Sequence, residues 1–349
     1  MIAFILLIVI LGILIFVHEL GHFLTAKNRG AYVYEFALGM GPKIFSFKRK
    51  KESGDPTLYS LRLFPIGGFC VNEDDNEDVK LKKSDYMCNK KIWERCLILI
   101  AGVTMNFITG FLLLFISALI WGSSDQSSIV GVVPEGYPVY EAGIREGDRV
   151  LSIDGKKATN WDKIMLILSL NHDDGEYLFK VEKPNGDIEE YEVLPKIVKG
   201  EDGKESKVFG IGQDTTKKRG FVSALEYAFV KSGSIISSMG SIIWSLCTGQ
   251  LSLNALSGPV GVYSVVGEAA KTSVESVIYL MAYLSLNLGF INILPFPACD
   301  GGRVLLLIIE KLRGKKMNQK IENAINSIGF ALLMLLMLMI TIKDVINLF

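Results

Sequence analysis

Four stretches of the chain are almost free of polar residues: Ile2 to Phe16, Ile98 to Trp121, Val277 to Ile293 and Ala324 to Ile342. Each approaches the roughly 20 residues a helix needs to cross a hydrocarbon layer about 30 Å thick. They predict an α-helical polytopic membrane protein with about four transmembrane helices. A fifth stretch, Phe221 to Cys247, is patterned differently. Ile235, Ile236, Met239, Ile242, Ile243 and Leu246 recur at helical spacing, and Ser234, Ser237, Ser238, Ser241 and Ser245 fill the opposite face. That pattern suits a helix lying flat in the membrane interface better than one crossing it. Between Ile129 and Val193 the period shortens to two. Strands are expected at Ile129–Val133, Arg149–Ile153, Tyr177–Glu182 and Ile188–Val193, with turns at Asp154-Gly155 and Asn185-Gly186. A short helix around Tyr140–Ala142 and an amphipathic helix from Trp161 complete this region. Lys199 to Lys218 is charged and reads as a linker.

Composition agrees with a membrane protein: 50% of the 349 residues are hydrophobic, and mean hydropathy is +0.34. The first apolar run has no Lys or Arg before it and no small-residue cleavage site after it, so it is expected to remain in the mature chain. Formal net charge is zero, which gives no reason to expect nucleic acid as a partner. Basic residues crowd the segment from Lys27 to Arg95, including Lys48-Arg49-Lys50-Lys51, and the loop with Lys311, Arg313, Lys315, Lys316 and Lys320. The positive-inside tendency makes both cytoplasmic and puts the region from Gly122 onward outside. Five cysteines, odd in number and without CxxC spacing, disfavour a disulfide framework or a Cys-based zinc site. The acidic run Glu73–Asp78 reads as a solvated loop.

The first span ends in "ILIFVHELGHFLTAK". Helix positions i and i+4 share a face, so His18 and His22 can direct nitrogens at one ion about 2 Å from each. Glu19 projects beside that ion, where it reaches the attacking water as general base rather than as a ligand. This pattern uses two of the chain's three histidines. Counted from Ile2 at 1.5 Å per residue, His18 lies about 24 Å into the hydrocarbon, near the cytoplasmic face, where ionisable groups are costly and usually functional.

A catalytic zinc takes three protein ligands and keeps one position open. His172, between Asn171 and Asp173, reads as a surface turn residue, so the third ligand must be a carboxylate from another span. "NLGFINILPFPACDGGRVL" offers one. Pro295 and Pro297 break the third span, Asp300 follows the break, and Gly301-Gly302 let the chain return to helix at Val304. Asp300 is the expected third ligand. These ligands meet only if Phe221–Cys247 does not cross the bilayer.

HExxH in the first span with NxxPxPxxDG in the third resembles the signature of the site-2 protease family of zinc intramembrane proteases. "EAGIREGDRVLSIDG" resembles a single PDZ domain, and its position after the second span is similar to the RseP-like (regulator of sigma-E protease) bacterial group. The resemblance implies four parts: 1–121 with the first two spans, HExxH and a cytoplasmic β-hairpin; 122–198, an inserted extracytoplasmic α/β PDZ domain; 199–275, linker and interfacial helix; 276–349, the last two spans with the aspartate motif. Asn106 in "AGVTMNF" matches the family's Gly-Pro-x-x-Asn asparagine, although Val103 replaces the proline, and Asn292 matches the asparagine before the proline pair. These two either contact substrate and support the site or form buried helix–helix hydrogen bonds. "LSGPVGV" (Leu256–Val262) matches a loop leading into the third span. "SLRLFPIGGF" after "KIFSFKRKK" resembles a membrane-associated β-hairpin that pairs with unwound substrate. Cys299 stands where the family usually has leucine, and is expected to pack rather than touch metal. The PDZ domain either docks a peptide along Ile129–Val133 or only fills space above the site.

The resemblance also implies an activity: hydrolysis of peptide bonds inside single-span proteins, such as anti-sigma factors or signal-peptide remnants, in a bacterial plasma membrane. Two other functions compete with it. A membrane PDZ scaffold with a purely structural metal would be expected to close its zinc with four protein ligands, and a metal transporter leaves Glu19 without a task.

Overall fold

A computed structural model of the chain describes residues 2–49, 57–71, 83–170, 175–199, 205–251, 256 and 258–346. His172 and the Glu73–Asp78 run lie outside the described residues. In chain order the elements begin α1 (Ile2–Asn28), β1 (Glu35–Arg49), β2 (Thr57–Val71) and α2 (Ile92–Trp121). Next come β3 (Ser123–Ser124), β4 (Val130–Val132), α3 (Pro138–Ala142), β5 (Arg149–Ile153), β6 (Lys156–Lys157), α4 (Trp161–Leu170), β7 (Tyr177–Glu182) and β8 (Ile188–Val193). The strands β9 (Lys196–Lys199), β10 (Glu205–Val208), β11 (Gly212–Gln213) and β12 (Lys217–Lys218) come after these, then α5 (Phe221–Cys247). The chain ends with α6 (Pro259–Thr272), α7 (Val274–Ile293), α8 (Asp300–Arg313) and α9 (Gln319–Ile346). It divides into two compact units, Met1–Leu113 with Leu253–Phe349, and Leu114–Ser252.

Among the described residues, four helices are long and apolar enough to cross a membrane: α1, α2, α7 and most of α9. These coincide with the four apolar runs in the sequence. In the first unit, small residues let the helices approach. A Cβ added at Gly21 would lie 2.5 Å from the Ala101 carbonyl oxygen, and one at Gly110 would lie 2.6 Å from the Leu286 side chain. Close backbone approach of this kind is how helices associate where lipid competes with apolar contact. Phe23, Ala26, Ala31, Val33, Phe36 and Ile98 form a buried cluster that fastens β1 to α1 and α2.

The sheet of β1 and β2 is more folded than a plain hairpin. Arg49↔Thr57 through Lys43↔Arg62 pair as hairpin arms, but Glu35–Leu38 pair twice. They run alongside Leu58–Leu61 with residue numbers rising together, and antiparallel to Gly68–Val71. Both strands therefore curl back, and Gly68–Val71 becomes a border of the sheet. Glu35 is the polar centre of this arrangement. Its carboxylate accepts from the Ser60 hydroxyl, from Arg62 at 2.8 Å and from Lys43 at 3.2 Å.

The helix after the proline break starts earlier than expected, at Asp300 rather than Val304. Gly301 and Gly302 are thus the first turn of α8, not a flexible approach to it. Their role is steric: a Cβ at Gly301 would lie 2.1 Å from the Ile293 carbonyl oxygen, and one at Gly302 2.1 Å from that of Phe296. The motif "LSGPVGV" feeds directly into α6, whose Gly258 and Gly261 amides donate to the Asp344 carboxylate of α9 at 2.8 and 3.1 Å.

The second unit contains a four-stranded antiparallel sheet, ordered β6-β5-β7-β8. Val150, Ile153, Tyr177, Phe179 and Val181 of the sheet pack with Val139, Ile144, Trp161, Ile164 and Phe209. The predicted strands, α3, α4 and both turns are present, with Asp154 at φ 50° and Gly186 at φ 91°. Two expectations are corrected. Lys199–Lys218 is not a linker: β9 and β10 pair, β11 pairs with β4, β12 with β3, and Phe209 enters the core. Strands of two to four charged residues carry too little pattern to be read from sequence. Ile129–Val133 is not an open edge either, because β4 takes β11 on one side and Ile129 bridges Arg149. In this unit α5 is one continuous helix whose serine face meets α4. Lys231 and Ser234 both donate to Asp162, at 2.6 and 2.7 Å, and Lys163 donates to Ser241 at 2.9 Å.

Candidate metal centre

The helix α1 runs unbroken through the HExxH segment, so His18 and His22 project from one face, each 8% exposed. Their Nε2 atoms are 3.2 Å apart. The proline break between α7 and α8 brings Asp300 to them. Its Oδ2 lies 3.1 Å from His18 Nε2 and 3.3 Å from His22 Nε2. Bonds of about 2.0–2.1 Å to a tetrahedral zinc imply ligand–ligand edges of about 3.3 Å, so these three atoms are spaced as ligands of one such ion. Asp300 Oδ2 is buried and lacks a hydrogen-bond partner, a costly state that a cation relieves. Among the described residues, these are the His, Cys, Asp or Glu side chains grouped closely enough to hold a metal. Cys299, although buried, is not among them.

Contacts behind the donors fix their orientation. Nδ1–H of His22 donates to the Ile98 carbonyl at 2.7 Å, which leaves Nε2 with its lone pair for a metal. The Asn106 amide lies 3.1 Å from His18 Nδ1, and its Oδ1 is a buried atom with no partner. With the amide turned over, that oxygen accepts from Nδ1–H, leaving His18 Nε2 for the metal as well. The Ser285 hydroxyl of α7 donates to the Asn106 carbonyl at 2.8 Å, tying down the helix that carries the amide.

Space for the ion is kept by Gly102. A Cβ there would stand 2.4 Å from His22 Nε2 and 2.9 Å from His18 Cε1. The donors open on a cavity of about 400 Å³ lined also by Glu19, Phe69, Cys70, Asn292 and Arg303. Glu19 receives a backbone hydrogen bond from Cys70, so the Gly68–Val71 border of the sheet both flanks the cavity and holds the acid. Asn292 therefore faces the cavity, whereas Asn106 acts behind His18. Pro297 is packed against Gly329 of α9; Pro295 is exposed and serves by ending α7.

The motifs in the sequence single out His18, Glu19, His22, Asp300, Asn106 and Asn292, and the structure gathers all six at one place. They give no role to Gly102, Cys70 or Arg303. For Gly102 a signal existed, since it stands four residues before Asn106 and so on the same helix face. Nothing comparable marks Cys70 or Arg303.

Three donors spaced for one metal, opening on a cavity with a further carboxylate beside them, are the equipment of a metalloprotease. Sequence comparison carries this further: Peptidase family M50 matches residues 6–336, and the chain belongs to that family. The regulator of sigma-W protease RasP of Bacillus subtilis is 32% identical over 421 residues, covering 98% of each chain. The zinc metalloprotease RasP of Bacillus licheniformis matches to the same extent, 32% over 421 residues and 98% of each. A relative from Fusobacterium nucleatum is 38% identical over 350 residues, 99% of each. The protein is thus a multi-pass membrane metalloprotease, and zinc, the cofactor in the RasP name, is a metal its donor set fits.

Proposed function

We propose that the protein is a zinc-dependent intramembrane endopeptidase in which His18, His22 and Asp300 hold the metal and Glu19 is the general base. The observation that carries the reading is the triangle of 3.1, 3.2 and 3.3 Å between the three donor atoms. Zinc bound there would polarise the scissile carbonyl and lower the pKa of the attacking water towards about 7. Glu19 takes the proton from that water and delivers it to the leaving amine, steadied by the Cys70 amide. Asn292 is placed to hydrogen-bond the substrate backbone beside the scissile bond.

Substrates are single-span proteins of the anti-sigma factor type, or signal-peptide remnants, cut within the membrane. A transmembrane helix satisfies its own backbone hydrogen bonds, so it must unwind first. Gly68–Val71 then receives the extended segment by β-addition. That border, rather than the whole Lys43–Phe69 hairpin, is the strand that matters, because its Cys70 holds Glu19. Residues 122–198, completed by the strands of 199–218, act outside the cell membrane as a PDZ domain, and the remainder of 199–275 leads to the closing spans 276–349. With β4 already paired, it works as a size filter rather than a peptide dock. The α5 helix lies in the outer interface.

The test is Glu19→Gln in purified protein with a model single-span substrate. Zinc content is expected to stay at one per chain while cleavage disappears. Cleavage at the wild-type rate would remove Glu19 from the chemistry.

A further inference from the structure

Asp300 is carried by a turn that does not hold its shape unaided. Ala298, two residues before it, has φ 77°, a left-handed conformation that side-chain-bearing residues adopt only when the surroundings impose it. The imposing contacts come from α9. Asn326 Oδ1 accepts from the Ala298 amide at 3.3 Å. Three residues on, and so on the same face of the helix, Gly329 lets the turn settle directly on the helix backbone. A Cβ at Gly329 would lie 2.4 Å from Pro297 Cβ and 2.6 Å from the Pro297 carbonyl oxygen.

The fit is therefore specific on both sides. Pro297 has no amide hydrogen, Ala298 has one, and Asn326 captures it. α9 is otherwise largely exposed, with Ile328, Phe330, Leu332, Met334 and Leu335 all facing outward, so its seat on the Pro297-Ala298 turn is a specific contact.

We infer that Asn326 is a positioning residue for the metal centre: with Gly329 as its seat, it clamps the Pro297-Ala298 turn and thereby sets the place of the Asp300 carboxylate against His18 and His22. The inference rests on Asp300 being a zinc ligand. Asn326 is not one of the metal donors. Its effect is to keep the third donor within reach of the two histidines, so losing it weakens zinc binding and lowers kcat while leaving substrate capture at the sheet border, and hence KM, nearly unchanged.

The experiment measures zinc affinity of the full-length protein by competition with a chromophoric chelator, together with kcat and KM on a single-span substrate. Asn326→Leu is expected to weaken zinc binding about 10–100-fold, the usual cost of removing a group that orients a ligand, with kcat falling and KM steady. Asn326→Asp, which keeps an acceptor for the Ala298 amide, is expected to recover most of the affinity. Asn326→Ala repeats the measurement should the leucine variant not fold, and Leu335→Ala, on the lipid-exposed side of α9, should change nothing. Wild-type zinc affinity and kcat in folded Asn326→Leu and Asn326→Ala would overturn the inference. Asp300→Ala in parallel separates the two claims: if it too binds zinc as wild type, the ligand assignment itself has failed; if it loses zinc while the Asn326 variants do not, only the positioning role has.

Discussion

The carbonyl of Ile98 on α2 accepts the Nδ1 proton of His22 at 2.7 Å, and this one contact decides which imidazole nitrogen remains for a metal. With His18 oriented in the same sense by Asn106, both Nε2 lone pairs and the Asp300 carboxylate converge on a single point. An ion between them would satisfy all three donors at once. Chelation should therefore lower the thermal midpoint of the detergent-solubilised protein, and zinc should restore it. The gain grows with zinc concentration, reaching about 2.7 kcal/mol at a hundredfold excess over Kd. A midpoint indifferent to chelator would show that the three donors do not share an ion.

Gly102→Ala is the sharpest steric test. The added methyl would sit 2.4 Å from His22 Nε2, within the space of the ion. In an exposed helix, Gly→Ala would favour helicity by about 1 kcal/mol, so loss of metal here is not loss of the helix. Zinc content measured by elemental analysis should fall to background, with helical circular dichroism unchanged.

For Asn106 the chemistry of the replacement decides the outcome. Asn106→Leu removes the acceptor on His18 Nδ1–H and should weaken zinc binding or activity about 10–100-fold. Asn106→Asp keeps an acceptor and should retain binding. Equal losses in both variants would mean that the residue only fills space.

How far this arrangement is legible in the sequence depends on the kind of signal. Apolar runs announce the spans because lipid demands uninterrupted hydrophobicity, and His18, Glu19, His22 and Asp300 declare themselves as ionisable groups where such groups are expensive. Gly102 shows only through its place four residues before Asn106, because its function is to have no side chain. The double pairing of Glu35–Leu38 is hidden, since alternation along a strand fixes its faces but not its partners. Phe209 lies in a short apolar patch with Val208 and Ile211 inside a charged stretch, too brief to show a period, so its place in a core becomes evident only with the fold.

Acid should loosen the sheet of β1 and β2. Burial alone would raise the Glu35 carboxyl, but hydrogen bonds from Ser60, Arg62 and Lys43 outweigh it and hold the group below its ordinary value. Its folded-state pKa is thus depressed. The stability it contributes is present above the ordinary carboxylate pKa near 4.5 and is lost as pH falls through the folded value. Glu35→Gln removes this dependence and costs about 1–3 kcal/mol at neutral pH. Hydrogen exchange of the Leu58 amide, followed from pH 6 to pH 3 in both proteins, should show protection falling with acid in the wild type and not in the variant. Parallel profiles would assign the sheet's cohesion elsewhere.

The Asp344 carboxylate that receives the Gly258 and Gly261 amides stands on the same helix as Asn326. Eighteen residues separate the two, about 27 Å at 1.5 Å per residue, close to the full depth of a bilayer's apolar layer. One stiff strut thus grips the incoming chain at one end and the metal-bearing bend at the other. Tension applied where the polypeptide enters α6 has a direct mechanical route to the turn that carries Asp300.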